Sequence, residues 1–104
     1  FVSIHADSAP NPSAQGFTIY IANAASADSQ RSARDIARAM ATTGMESRGV
    51  RREDYRVLVT TRGPAVLVEM GYLSNRQDAA RLQDSTFQSK LAAAIATGII
   101  DYLQ

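Results

Sequence analysis

Ala65-Val66-Leu67-Val68-Glu69-Met70-Gly71-Tyr72 is the stretch on which the fold turns. Its first four residues are apolar and leave neither face of a strand for water. That pattern suits a strand buried between helix layers in a parallel or mixed sheet better than an exposed antiparallel one. Arg62-Gly63-Pro64 breaks it from Val57-Leu58-Val59-Thr60-Thr61, which reads as a further strand. Working outward, Phe1-Val2-Ser3-Ile4-His5-Ala6 and Phe17-Thr18-Ile19-Tyr20-Ile21-Ala22 also read as strands, separated by a loop of turn formers from Ala9 to Gly16.

Helices fill the gaps. From Asp28 to Thr43, Ala33, Ile36, Ala37 and Met40 recur at spacings of three and four, with Arg31, Arg34, Asp35 and Arg38 opposite and Gly44 closing the end. Asn75 is placed to cap a short helix running through Leu82, and Asp84 or Ser85 to cap the last one. In that last helix Phe87, Leu91, Ile95, Gly98 and Tyr102 form a stripe expected to dock on the sheet. Arg48 to Arg56 reads as polar connector. Strands interleaved with helices predict an α/β domain of three layers, α/β/α, around a mixed, mostly parallel sheet.

The 104 residues suffice for one domain, and 45% hydrophobic content is that of a core-forming chain. Eleven Lys and Arg against ten Asp and Glu leave a formal charge of +1, which excludes a field that would draw nucleic acid or an anionic membrane. Arg48, Arg51, Arg52 and Arg56 cluster, but Glu46, Glu53 and Asp54 interleave with them, as in a solvated connector. No run approaches the roughly 20 apolar residues of a membrane span. Without cysteine, disulfides and thiolate metal sites are excluded. The chain opens on Phe1 directly in a strand, with no preceding turn or cap, and so reads as a fragment.

Two polar residues stand at the carboxyl ends of apolar strands, where open α/β sheets place their ligands. His5, beside Asp7, is a candidate metal ligand; a single strand histidine is also commonly a hydrogen-bonded structural residue. Glu69 follows the apolar run, and its carboxylate would be desolvated unless it faces a cleft. It is either a salt-bridge partner of an arginine such as Arg62 or a general base with a raised pKa. The residues alone leave both pairs of readings open.

Phe1-Val2-Ser3-Ile4-His5-Ala6-Asp7, Gly16-Phe17-Thr18-Ile19-Tyr20 and Pro64-Ala65-Val66-Leu67-Val68-Glu69-Met70-Gly71-Tyr72-Leu73-Ser74-Asn75 together resemble the C-terminal part of the zinc-dependent N-acetylmuramoyl-L-alanine amidases. The order of motifs, the Arg48-Gly49-Val50 connector and the closing Ala94-Ile95-Ala96-Thr97-Gly98-Ile99 helix correspond as well. The resemblance implies hydrolysis of the amide between N-acetylmuramic acid and the L-alanine of the peptidoglycan stem, in cell-wall remodelling, daughter-cell separation or lysis. It implies one zinc ion held by two His and one Glu, with His5 matching the last ligand and Glu69 the catalytic glutamate. Three protein ligands leave a coordination position for water.

The family's other two ligands lie upstream of the matching strand, so two further zinc ligands are expected outside this chain, and Asp7 is at most a substitute donor. Residues 1–104 are thus expected to be the C-terminal portion of a single catalytic domain, inactive alone, with apolar surface exposed where the N-terminal portion belongs. The resemblance also implies a periplasmic or extracellular location, peptidoglycan as partner, and room for an attached wall-binding module. Asn23 to Ser29 is too short for the helix-bearing insertion that blocks the zinc site in some Gram-negative relatives. The competing expectation is a non-catalytic peptidoglycan-binding module that keeps the fold.

Overall fold

A computed structural model describes residues 1–104. The elements run β1 (Val2–Asp7), β2 (Phe17–Ile21), α1 (Ala27–Ala41), β3 (Ser47–Arg52), α2 (Arg56–Thr60), β4 (Val66–Tyr72), α3 (Arg76–Gln83) and α4 (Ser85–Leu103). The four strands form one sheet in the order β1-β4-β2-β3. β1 pairs with β4 and β2 with β3 in parallel, while β2 and β4 are antiparallel, so the sheet is mixed and mostly parallel.

The alternation of side chains sorts the sheet into two faces. Phe17, Ile19 and Ile21 of β2 join Val66 and Val68 of β4 in the main core, closed by Ala33, Ile36 and Met40 of α1, Leu82 of α3 and Leu91, Ala94 and Ile95 of α4. Leu67 points the other way, onto Leu58 and Ala65, with Tyr20, Ala22 and Val57 at the margin. Three layers result, the second helical one reduced to the five residues of α2. The apolar run at 65–68 is buried on both faces because helices cover both.

Two sequence expectations are corrected. Val57-Leu58-Val59-Thr60-Thr61 is not a strand: residues 56–60 form α2, in which Leu58 alone is buried. A short apolar run does not discriminate helix from strand, and the Thr60 and Thr61 hydroxyls here donate back to the carbonyls of Arg56 and Val57. Conversely, the expected connector contains β3. An edge strand needs only its backbone to pair with β2, so its arginines carry no alternating apolar signal, and the charges protect an open edge.

The closing helix joins the sheet's core through Leu91, Ala94 and Ile95, as expected, while Gly98 of the same stripe meets a helix. α4 lies chiefly on α1, where Gly98 meets Ile36 so closely that a Cβ at Gly98 would fall 2.5 Å from the Ile36 Cα. The caps follow the sequence: Asn75 accepts from the Asp78 N–H, and Asp84 from the Phe87 N–H. Asp78 then fastens the sheet. Its buried Oδ2 accepts from Gly16 N–H and Tyr72 N–H, each at 2.9 Å, tying the start of β2 to the end of β4.

Candidate active site

His5 and Glu69 are paired across the parallel β1–β4 ladder, and Glu69 is paired in turn with Thr18 across the antiparallel β4–β2 ladder. Residues opposite one another in a sheet share a face. His5, Glu69 and Thr18 therefore form one row across three strands, on the face of Leu67 and Tyr20. The structure brings together the two residues that the sequence singled out, 64 positions apart.

Glu69 is 4% exposed, whereas His5 is exposed. No arginine pairs with Glu69, so of its two readings the salt bridge to an arginine such as Arg62 is absent. Its Oε1 instead accepts the Asp7 N–H at 2.9 Å. The β1–β4 register shifts between His5 and Asp7, and this irregularity releases the Asp7 N–H from the ladder toward the carboxylate. Burial pushes the Glu69 carboxyl up to about 7; the Asp7 carboxyl adds to the rise, while the N–H groups of Asp7 and Gly71 pull against it. A carboxyl so placed exchanges a proton near neutrality, as acid–base catalysis requires.

Ser3, two residues before His5 on the same face, meets the imidazole Nε2 through its hydroxyl at 2.8 Å. That contact orients an exposed ring whose other nitrogen makes no hydrogen bond within the chain. The donor set fits a metal in part. An accessible, oriented imidazole suits one zinc ligand, but no three His, Asp or Glu side chains converge as a ligand set in this chain.

Around the row lie residues that the sequence did not single out. Tyr20 and Tyr55 meet edge to face, with centroids 5.3 Å apart. Burial raises the hydroxyl pKa of both; Tyr72 adds to the rise at Tyr20, and Glu53, Glu69 and Asp7 to that at Tyr55. Arg48 stacks over Tyr72, its guanidinium carbon 5.2 Å from the ring centroid. No spacing signal marks these residues, because they come from four different elements and loops. Elsewhere, two apolar clefts of about 410 and 400 Å³ flank the free edge of β1 beside α4, one reached by Phe1 and Val2, the other by Ile4 and Ala6. Phe1 and Ile4 are 58% and 51% exposed, so apolar surface stands open on that side. No helix is long and apolar enough to cross a membrane.

Residues 1–101 match the family model described as N-acetylmuramoyl-L-alanine amidase. Over 104 residues the chain is 36% identical to a probable cell wall amidase, LytH, of Staphylococcus aureus, covering 98% of this chain and 34% of that protein. The chain thus spans about a third of the length of the curated relatives it matches. Among solved structures it resembles the catalytic domain of CwlV, an N-acetylmuramoyl-L-alanine amidase from Bacillus (Paenibacillus) polymyxa var. colistinus. The TM-score is 0.90 at 40% identity, over 99% of this chain and 56% of that one. The N-acetylmuramoyl-L-alanine amidase AmiC2 of Nostoc punctiforme gives a TM-score of 0.92 at 34% identity, over 100% of this chain and 57% of that one.

Proposed function

The chain belongs to the N-acetylmuramoyl-L-alanine amidase family, and from that premise we propose that it forms the C-terminal portion of a single catalytic domain that hydrolyses the amide between N-acetylmuramic acid and L-alanine in peptidoglycan. The observation that carries the proposal is the cross-strand pair of His5 and Glu69, an accessible imidazole beside a buried carboxyl poised at about 7.

Glu69 is the general base: it takes the proton of the attacking water and passes it to the leaving amine of L-alanine. Acid–base assistance of this kind typically contributes ~10²–10⁴-fold. The Asp7 N–H holds Oε1 in place. His5, oriented by Ser3, would be one ligand of a single zinc ion, with two more supplied by chain outside residues 1–104. Zinc contributes a Lewis acid that polarises the scissile carbonyl and acidifies water. The open apolar clefts along β1 support a larger domain in which further chain packs against that strand. Such an enzyme works in the cell envelope, on the periplasmic or extracellular side, where its substrate lies.

The test is product analysis. The full-length protein, digested with purified peptidoglycan, is expected to release stem peptides beginning with a free L-alanine amine and to leave glycan strands bearing intact lactyl groups. Binding to peptidoglycan without any release sinks the catalytic reading and leaves a wall-binding module that keeps the fold.

A further inference from the structure

Arg48 is a cation without a counter-ion. The chain has two ion pairs, Arg31–Asp28 and Arg38–Asp35, and Arg48 belongs to neither. The nearby Glu46 accepts from Gln15 instead. Arg48 spends one NH1 donor on a long, 3.5 Å contact to the Gln15 carbonyl, and its Nε is buried with no acceptor. Buried donors are nearly always satisfied, so a guanidinium left in this state calls for an explanation.

Its position supplies one. The β2–β3 register shifts between Phe17 and Ile19, setting Arg48 and Gly49 together against Thr18, and Gly49 takes φ +84° in the shift. β2 lies between β3 and β4 in the sheet. To stack at 5.2 Å, the side chains of Arg48 and Tyr72 must therefore meet over β2. The ring of Tyr72 holds the guanidinium, whose only acceptor in the chain is the Gln15 carbonyl. Thr18, under this bridge, has a fully buried hydroxyl that also lacks a partner. The two orphaned polar groups of the molecule thus fall on neighbouring strands, Thr18 in the Glu69 row and Arg48 next to it.

We propose that Arg48, held by Tyr72, binds a carboxylate of the substrate on the peptide side of the scissile bond. The inference rests on the amidase reading. Tyr72 stands three residues beyond Glu69 on β4, about 10 Å along a strand, of which two extended peptide residues cover about 7 Å and the arginine side chain the rest. A stem peptide whose L-alanine amide lies at Glu69 therefore brings the free carboxylate of its second residue to the guanidinium. A planar fork of donors matches a carboxylate bidentately and loses that match when the acid is amidated.

The experiment compares two tetrapeptide muramoyl substrates that differ only at the second stem residue, D-isoglutamate or D-isoglutamine, cleaved by the full-length protein. The wild type is expected to favour the acid at least tenfold in kcat/KM. Arg48→Met removes that preference by raising KM for the acid with kcat little changed, and Arg48→Lys restores it in part. A wild type indifferent to amidation overturns the proposal, as does a preference that survives Arg48→Met. So does an equal loss on both substrates, accompanied by a fall in Tm, which marks Arg48 as structural. Cleavage of neither substrate by the wild type overturns the amidase reading and this proposal with it.

Discussion

Replacing Glu69 by glutamine removes a buried carboxyl while keeping an oxygen that accepts the Asp7 N–H. The stability consequence follows from the raised pKa. Native Glu69 titrates at about 7 against an ordinary value of 4.5, chiefly because burial disfavours the charged form. The native state therefore holds this proton more tightly than the unfolded chain does. Its contribution is complete below about pH 4.5 and is lost as the pH rises through about 7. At about 1.4 kcal/mol per pH unit, the difference amounts to roughly 3 kcal/mol. Urea unfolding of the full-length wild type and Glu69→Gln, with chelator present so that no cation favours the carboxylate, measures it between pH 4.5 and 8.5. The stability of the variant relative to wild type should climb by roughly 3 kcal/mol across that range, most of it before pH 7.5. A difference that stays flat, or falls with pH, refutes the claim that Glu69 is desolvated in the native protein.

Gly98→Ala should destabilise the domain by about 1–3 kcal/mol although alanine is the better helix former, because the new Cβ would press on the Ile36 backbone; thermal unfolding reads this directly. Asp78→Ala strands the N–H groups of Gly16 and Tyr72 and should cost about 2–4 kcal/mol, with hydrogen exchange at those two amides accelerated before any other loss of protection. His5→Ala, at an exposed position, should leave the unfolding transition within about 0.5 kcal/mol of wild type in the metal-free protein. The same variant should lower zinc content per chain, measured by metal analysis after dialysis against a weak chelator.

The parts of the fold legible in the sequence were those written in buried apolar residues. The run at 65–68 is apolar on both faces because helices cover both, and Ala33, Ile36 and Met40 of the α1 pattern are buried in the core, with Ala37 at its margin. β3 was illegible for the opposite reason: an edge strand satisfied by backbone pairing leaves its side chains to solvent, and Arg51 and Arg52 look the same in a strand as in a loop. α2 was misread because Val57-Leu58-Val59 is short enough for either state, and its one buried residue carries no period. At the site, His5 and Glu69 stood out as polar residues ending apolar strands. Their pairing did not, since register is a property of the folded sheet. The contact of Asp7 with Glu69 depends on a ladder irregularity, and the stacking of Arg48 on Tyr72 on a strand order that no local pattern encodes.

The central claim is that Glu69 moves protons in amide hydrolysis beside a metal held in part by His5. The most direct measurement is kcat for release of stem peptides by full-length wild type and Glu69→Gln, with zinc content determined on the same samples. The account predicts a loss of at least ~10²-fold in the variant at unchanged zinc content, since the base is removed and the ligand is not. A variant that keeps wild-type kcat, or loses activity only in step with its zinc, contradicts it.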